Sequence, residues 1–407
     1  RNLQMGLKEG YVPPRVVMKG VMDQMESQTK LSFVTDPSSH PLYQPFANRD
    51  NDDNMATQAR LVIRDEIIPA FQRLSSYLKT TYIPACRDTI AAKDGPGGLE
   101  FYQFRLKHYT TLSLTPEAIH NVGLKEVGRI RKEMMAAIKR SDFDADKKIP
   151  DEKIFDAFVD FLRTDPRFYY TSVDDMLRDY SHIAKSMDAE LPKLFGKLPR
   201  LPYGIKPMPE YIAQSAPTAY YYEGSPKNGK AGTFIVNTTH LNHRPKYEMK
   251  ALTYHEAMPG HHLQIALSQE LAESGLHLWR ELIGYTVFVE GWGLYSERLG
   301  LEVGGKPDDT YGFYQDPYDD FGRLSFEMWR ALRLVVDTGL HAFDWSREKA
   351  IEYMLANSAL TRKNVENEVD RYIAWPGQAV AYKIGELKIR QLRETAEKEL
   401  GEDFDVR

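Results

Sequence analysis

The sequence predicts a mainly α-helical fold of the α+β class, with one small β-sheet embedded in it. Three observations carry that reading. Apolar residues recur at helical spacing through most of the 407 residues, alternating and aromatic runs are confined to one proline-rich stretch near the middle, and 42% hydrophobic with 27% charged residues is ordinary globular usage. Fifty-eight acidic against 53 basic residues give a formal net charge of −5, so no global basic field draws nucleic acid or an anionic membrane to the chain. No uncharged run approaches the roughly 18 residues of a transmembrane helix. The single cysteine, Cys86, excludes an intrachain disulfide and a cysteine-rich zinc module, and is read as a small apolar packing residue.

The elements follow in order. The opening, from Arg1 through Val17, reads as the middle of a longer sequence. Pro13 and Pro14 precede an apolar pattern of Val16, Val17, Val21, Met22 and Met25, as where proline opens a helix. A second helix over 56–83 carries Leu61, Ile67, Phe71 and Leu78, with a kink expected at Pro69. Thr115, Pro116 and Glu117 supply an N-cap, a first-turn proline and a first-turn acid for a long helix ending near Arg140. Further helices are predicted at 151–164 and 172–194. Between Leu201 and Asn237 Pro202, Pro207, Pro209 and Pro217 break helices, while Tyr220–Tyr222 and Thr233–Val236 favour strands joined by a hairpin loop over 223–230. Helices resume after Pro245. The economical description is one continuous domain, residues 1–200 forming one wall of a cleft and 201–407 supplying the sheet and the functional helices.

The chemistry concentrates in Tyr254-His255-Glu256-Ala257-Met258-Pro259-Gly260-His261-His262-Leu263-Gln264, which holds three of the chain's 11 histidines. A His-Glu pair followed by another His is how zincins hold a metal on two imidazoles with the Glu beside it as general base. The usual spacing of four puts both imidazoles on one helical face. Here His261 is six residues on, roughly 120° off that face, and His262 is seven on, about 10 Å along the axis. The helix must therefore be interrupted. Pro259 cannot donate to the carbonyl of His255, and Gly260 lets the backbone bulge, so His261 is favoured as the second ligand with His262 as the alternative. Glu290, in Glu290-Gly291-Trp292-Gly293, offers the third ligand from a second helix, with Gly291 and Gly293 permitting close approach of the first. Glu297, two turns on, suits a hydrogen bond to a metal histidine. Downstream, Arg333, Asp337 and His341 share a helical face. That face could hold a substrate carboxylate through Arg333, put His341 near an oxyanion, or be a plain intrahelical Arg/Asp pair.

With these residues in view, the sequence resembles the bacterial proteins grouped as domain of unknown function 885, on the signature HExxPGHHxQ followed by EGWGxYxE. The resemblance spans the whole chain and is densest from Gly232 to Arg390. That family looks like part of the gluzincin metallopeptidase superfamily, and the resemblance implies a large helical zincin-like domain with its sheet beside the metal helix and one zinc ion per chain. It also implies longer relatives with export or lipoprotein signals, hence a periplasmic or exported location. The strand before the metal helix, with Phe234, Val236 and Asn237, corresponds to the edge strand that aligns an extended substrate in gluzincins, against the plainer reading of an ordinary sheet strand. The segment from Arg371 to Lys383 resembles a further motif of the family. Related peptidases supply a Tyr or His to the tetrahedral intermediate, which makes Tyr382 and Tyr372 candidates and Arg371 a substrate contact. The expected protein is thus a zinc-dependent metallopeptidase with Glu256 as general base. The alternatives are the same chemistry on a non-peptide ester or amide, and a non-catalytic binding protein on a zincin-like scaffold.

Overall fold

The helices begin where the sequence caps them. In a computed structural model of the chain, describing residues 1–49, 53–143, 149–213, 216–273, 275, 277, 279, 280, 283–306 and 310–407, Thr115 accepts the Ala118 N–H at 3.2 Å and Pro116 opens a 25-residue helix. Short helices precede it, and two of them differ from expectation. The run after Pro14 is a 3-10 turn, Arg15–Met18, and a separate helix, Val21–Ser27, because Gly20 breaks it with φ 78°. The helix around Pro69 is not one uninterrupted α-helix. Its missing donor is absorbed by a wider π turn, Ile63–Ile67, just ahead of the segment Ile68–Tyr77.

Helices α1 (Gly98–Thr110), α2 (Pro116–Arg140), α3 (Asp151–Thr164) and α4 (Val173–Glu190) make up the first half. The second half holds α5 (Met249–Glu256), α6 (His261–Glu273), α7 (Thr286–Leu299), α8 (Pro317–Ala342), α9 (Arg362–Ala374) and α10 (Ala381–Leu400). Among the described residues no helix is long and apolar enough to cross a membrane. The main core joins both halves: Ile130 and Met134 of α2 and Phe158 of α3 interlock with Phe321, Leu324 and Met328 of α8. Each such side chain contributes about 1.5–3 kcal/mol on burial. Cys86 packs in a smaller cluster with Leu78 and Tyr82.

Helix α8 runs through the interior and is buried nearly all round. A helix so placed would be apolar on every side if packing alone decided its sequence. Instead Asp320, Arg323, Glu327, Arg330, Arg333, Asp337 and His341 recur every three or four residues and line one face, all buried. This internal polar stripe faces the functional helices.

Strands β1 (Tyr203–Pro207), β2 (Ala219–Tyr222) and β3 (Gly232–Val236) pair in the order β1-β3-β2, with β1 parallel and β2 antiparallel to β3. The hairpin forms as predicted, closed by a Ser225/Lys230 bridge. Strand β3, however, is central. Both its hydrogen-bonding edges are occupied, so it cannot align a substrate as an edge strand does. Phe234 and Val236 are buried against Met249, Ala251 and Leu252 of α5, while Asn237 donates to the Ala213 carbonyl at 2.6 Å and accepts from Thr239. Phe234 and Val236 anchor the sheet to α5, and the Asn237 side chain is spent on the loops that flank the sheet. The edge strand on that side is β2.

Candidate metal centre

Helix α5 ends at Glu256, and the chain turns through Ala257-Met258-Pro259-Gly260 before α6 begins at His261. The two inserted residues of the motif are absorbed in that turn, as the proline and glycine predict. A β-carbon at Gly260 would lie 1.9 Å from the His255 carbonyl oxygen, so the turn folds back tightly on α5. Helix α7 clamps it from outside: Trp292 Nε1 and Ser296 Oγ both donate to the Pro259 carbonyl, at 2.9 and 3.3 Å. Gln264 of α6 donates in turn to the Phe288 carbonyl at 3.1 Å, tying α6 to the turn of α7 that precedes Glu290.

These contacts bring His255, His261 and Glu290 together, with one ligand atom of each within 4.8 Å of the other two. Nε2 of His255 lies 3.6 Å and Nε2 of His261 3.7 Å from Glu290 Oε2. Donors bound at 2.0–2.2 Å around a tetrahedral ion are about 3.4 Å apart, so the spacing suits a metal better than direct hydrogen bonds. The Nδ1 of His261 is buried without a partner. His262 is turned away, accepting or donating at Nδ1 with the Tyr221 hydroxyl (2.8 Å) and at Nε2 with the Leu201 carbonyl (3.0 Å). Gly293 packs against the His255 ring, 2.7 Å from a β-carbon built there, as its place in the motif predicts. Gly291 instead meets Gly385 of α10.

The electrostatics match a cation site. Burial opposes charge on His255, but Glu290, at 3.6 Å, and Glu297, 2.8 Å from Nδ1, outweigh it and raise its pKa to about 10. Burial, reinforced by the charge on His255, lowers His261 to about 4. Burial would raise Glu290, yet the two histidines hold it at about 2. Glu256 is pushed up to about 6 by burial, opposed by His255, and its carboxylate accepts the Tyr221 N–H of β2. Three carboxylates thus surround two imidazoles, and a proton on His255 stands where a divalent ion would supply more compensation. The His2Glu donor set fits zinc, with Glu297 fixing the tautomer of His255 from behind.

The profile of the bacterial proteins of unknown function DUF885 matches residues 1–407. The chain belongs to that family. A crystal structure of a candidate lipoprotein from Colwellia psychrerythraea is similar to this DUF885 chain, with 31% identity and a TM-score of 0.87 over 99% of this chain and 68% of that one. A candidate lipoprotein of unknown function from Shewanella oneidensis, at 18% identity, shares the fold with a TM-score of 0.69 over 97% of this chain and 69% of that one. No curated protein matches the chain.

Around this site the other candidates divide. Tyr382 lies near the stripe, its ring 4.4 Å from the Arg333 guanidinium, and its hydroxyl has no hydrogen-bond partner among the described residues. Tyr372 has no hydroxyl bond to spare. Its hydroxyl is consumed by Arg333 Nε (3.0 Å), Trp329 Nε1 (3.1 Å) and Glu368 (2.8 Å), so it orients Arg333. His341 is likewise a structural group: Nδ1 accepts the Ala92 N–H and Nε2 donates to the Tyr372 carbonyl, both at 3.0 Å, and burial lowers its pKa to about 4. Asp337 pairs not with Arg333 but with the Tyr102 hydroxyl at 2.7 Å and the Gly377 N–H. Arg371 is held by Gln378 at 2.9 Å, with Glu368 at 3.6 Å. Two contributors lay outside the sequence reading. Arg330, 3.7 Å from Glu297, was one turn ahead of Arg333 on the same face, and Tyr221 stood out only as the middle of a tyrosine triplet.

Proposed function

We propose that this protein is a metal-dependent hydrolase, with zinc as the ion and peptides as substrates. One observation carries the reading: His255, His261 and Glu290 converge from three helices, with Glu256 following His255 in the chain. Those three residues would hold the ion, which when bound supplies Lewis acidity toward a carbonyl and acidifies water. Glu256 takes the proton of the attacking water and returns it to the leaving amine, and a pKa raised toward neutrality suits both halves of that task. Glu297 keeps Nδ1 of His255 engaged, leaving Nε2 for the ion. The outward edge of β2 suits an extended peptide, because Ala219 turns its amide away from β3, while the Tyr221 N–H is spent on Glu256. An exported lipoprotein is the proposed setting, from the designation of the relatives.

The test is Glu256→Gln. Zinc content by plasma mass spectrometry should stay near one per chain, while cleavage of a peptide library falls by a factor of about 10²–10⁴. Unchanged turnover, or no stoichiometric zinc in the native protein after zinc is offered, would overturn the reading.

A further inference from the structure

Of the five buried charges from Asp320 to Arg333 on the α8 stripe, Arg330 and Arg333 each keep a buried nitrogen without a partner among the described residues, and in Arg333 that nitrogen is a terminal one. The exposure of Arg333 is 2%. Nε is bound by Tyr372 and Nη2 by Glu368, at 3.0 Å each, while Nη1 is buried and has no partner among the described residues. The guanidinium is therefore gripped along one edge and offers the other. Arg330, one turn earlier, is committed differently: its Nη1 donates to the Phe326 carbonyl at 3.3 Å and its Nη2 faces Glu297 at 3.7 Å.

Beside that free edge lies Tyr382, whose ring stacks under the guanidinium and whose hydroxyl is unclaimed by any described residue. Tyr372, Glu368 and Trp329 hold the arginine from behind in a closed set of hydrogen bonds. A flexible side chain with a stray donor would relax toward a partner, whereas this one is fixed by three others. Arg330 links this place to the metal centre: its guanidinium lies 6.0 Å from the Tyr382 ring and 3.7 Å from Glu297, which bonds His255 Nδ1 at 2.8 Å. Buried charged donors left unsatisfied by the protein are rare, and a planar guanidinium matches a carboxylate.

We propose that Arg333 and Tyr382 form a carboxylate-binding subsite beside the metal centre, and that the substrates are short peptides recognised by their free C-terminal carboxylate. The subsite rests on the hydrolase reading for its context, but it is a binding claim and is testable separately. Arg333 is a specificity residue here, and Tyr372 and Glu368 are positioning residues.

The probes are an equimolar pool of tripeptides with free C-terminal carboxylates and the same pool amidated. Retention on immobilised, zinc-loaded Glu256→Gln protein is read by mass spectrometry, and turnover of both pools is read on the native protein. Acids should be retained at least 10-fold over amides, Arg333→Lys should remove that preference, and Tyr382→Phe should reduce it about 3-fold, with amide retention unaffected. Tyr382→Phe removes one hydroxyl that bonds to no described residue, so it remains informative even where Arg333→Lys fails to fold. Equal retention of acids and amides, retention of neither, or a preference indifferent to both substitutions would overturn the subsite. Acid-selective retention without any turnover would leave the subsite standing and remove the hydrolase, and equal turnover and retention of both pools would do the reverse.

Discussion

The internal stripe of α8 holds two sets of buried charges that look alike in sequence and behave differently in space. Asp320, Arg323 and Glu327, at its start, are closed in on themselves. Arg323 bonds Asp320 at 2.7 Å and Glu327 at 3.3 Å, and Glu327 also accepts from Arg129 of α2 and from Lys383 of α10. Lys383, fully buried, is ringed in turn by Glu126, Glu327 and Glu386. One to two turns on, around Arg330, Arg333 and the metal centre, donors and acceptors are left over: Arg330 Nε, Arg333 Nη1, Glu297 Oε2 and His261 Nδ1 are all buried without partners among the described residues. Charges that neutralise one another inside the protein hold helices together, while charges left incomplete mark where a ligand belongs.

The largest effect should come from breaking the closed set. Lys383→Met leaves three carboxylates facing one another in the interior, and urea unfolding should show a loss of about 3–5 kcal/mol. If that variant were as stable as the native protein, the contrast between the two regions would collapse. In the open set the order of effects inverts. His261→Ala should leave the metal-free protein within about 1–2 kcal/mol of native stability, because its imidazole has no hydrogen bond to lose, while zinc affinity falls on the order of 100-fold or more. Parallel chelator competition and thermal melts would separate the two quantities. Glu297→Gln, one step behind the ion, should weaken zinc by about 10–100-fold in the same competition assay.

The smallest effect sharpens the comparison at the far end of the stripe. Burial raises Asp337 to about 7, against the hydrogen bonds from Tyr102 and Gly377 that favour its charged form. A carboxyl whose folded pKa lies above its unfolded one stabilises fully below about pH 4, and that contribution is lost as pH rises through about 7. The stability of the native protein relative to Asp337→Asn should therefore be greatest at pH 4 and decline by at least about 1 kcal/mol by pH 8, measured by denaturant titration at each pH. A flat difference would mean that burial does not raise the Asp337 carboxyl in the folded protein.

Much of this was legible in the residues, and the rest was not for identifiable reasons. Thr115-Pro116 announces its helix because capping is local, and the mid-chain tyrosines announce strands for the same reason. His255, Glu256, His261 and Glu290 stand out by chemistry and spacing. Their convergence still depended on a turn whose shape is set by Trp292 and Ser296, more than thirty residues away. Strand order was beyond reach, since nothing in Gly232–Val236 distinguishes a central strand of a three-stranded sheet from an edge. His341 and Tyr372 misled because a histidine or tyrosine reads the same whether its polar atoms are free or spent on a distant backbone carbonyl. The partners that closed the first part of the stripe come from α2 and α10, and periodicity in α8 reveals the face but not what meets it.

The turn from Ala257 to Gly260 has a bearing on the order in which the molecule assembles. Because α7 supplies both the clamp on that turn and Glu290, neither helix of the α5/α6 pair can present its imidazole correctly until α7 has docked across a gap of about thirty residues in the chain. A binding-competent donor set is then a late product of folding. An ion that recognises only the finished arrangement would draw its stabilisation from global unfolding, raising the melting temperature of the whole protein with its concentration and leaving partly folded chains untouched.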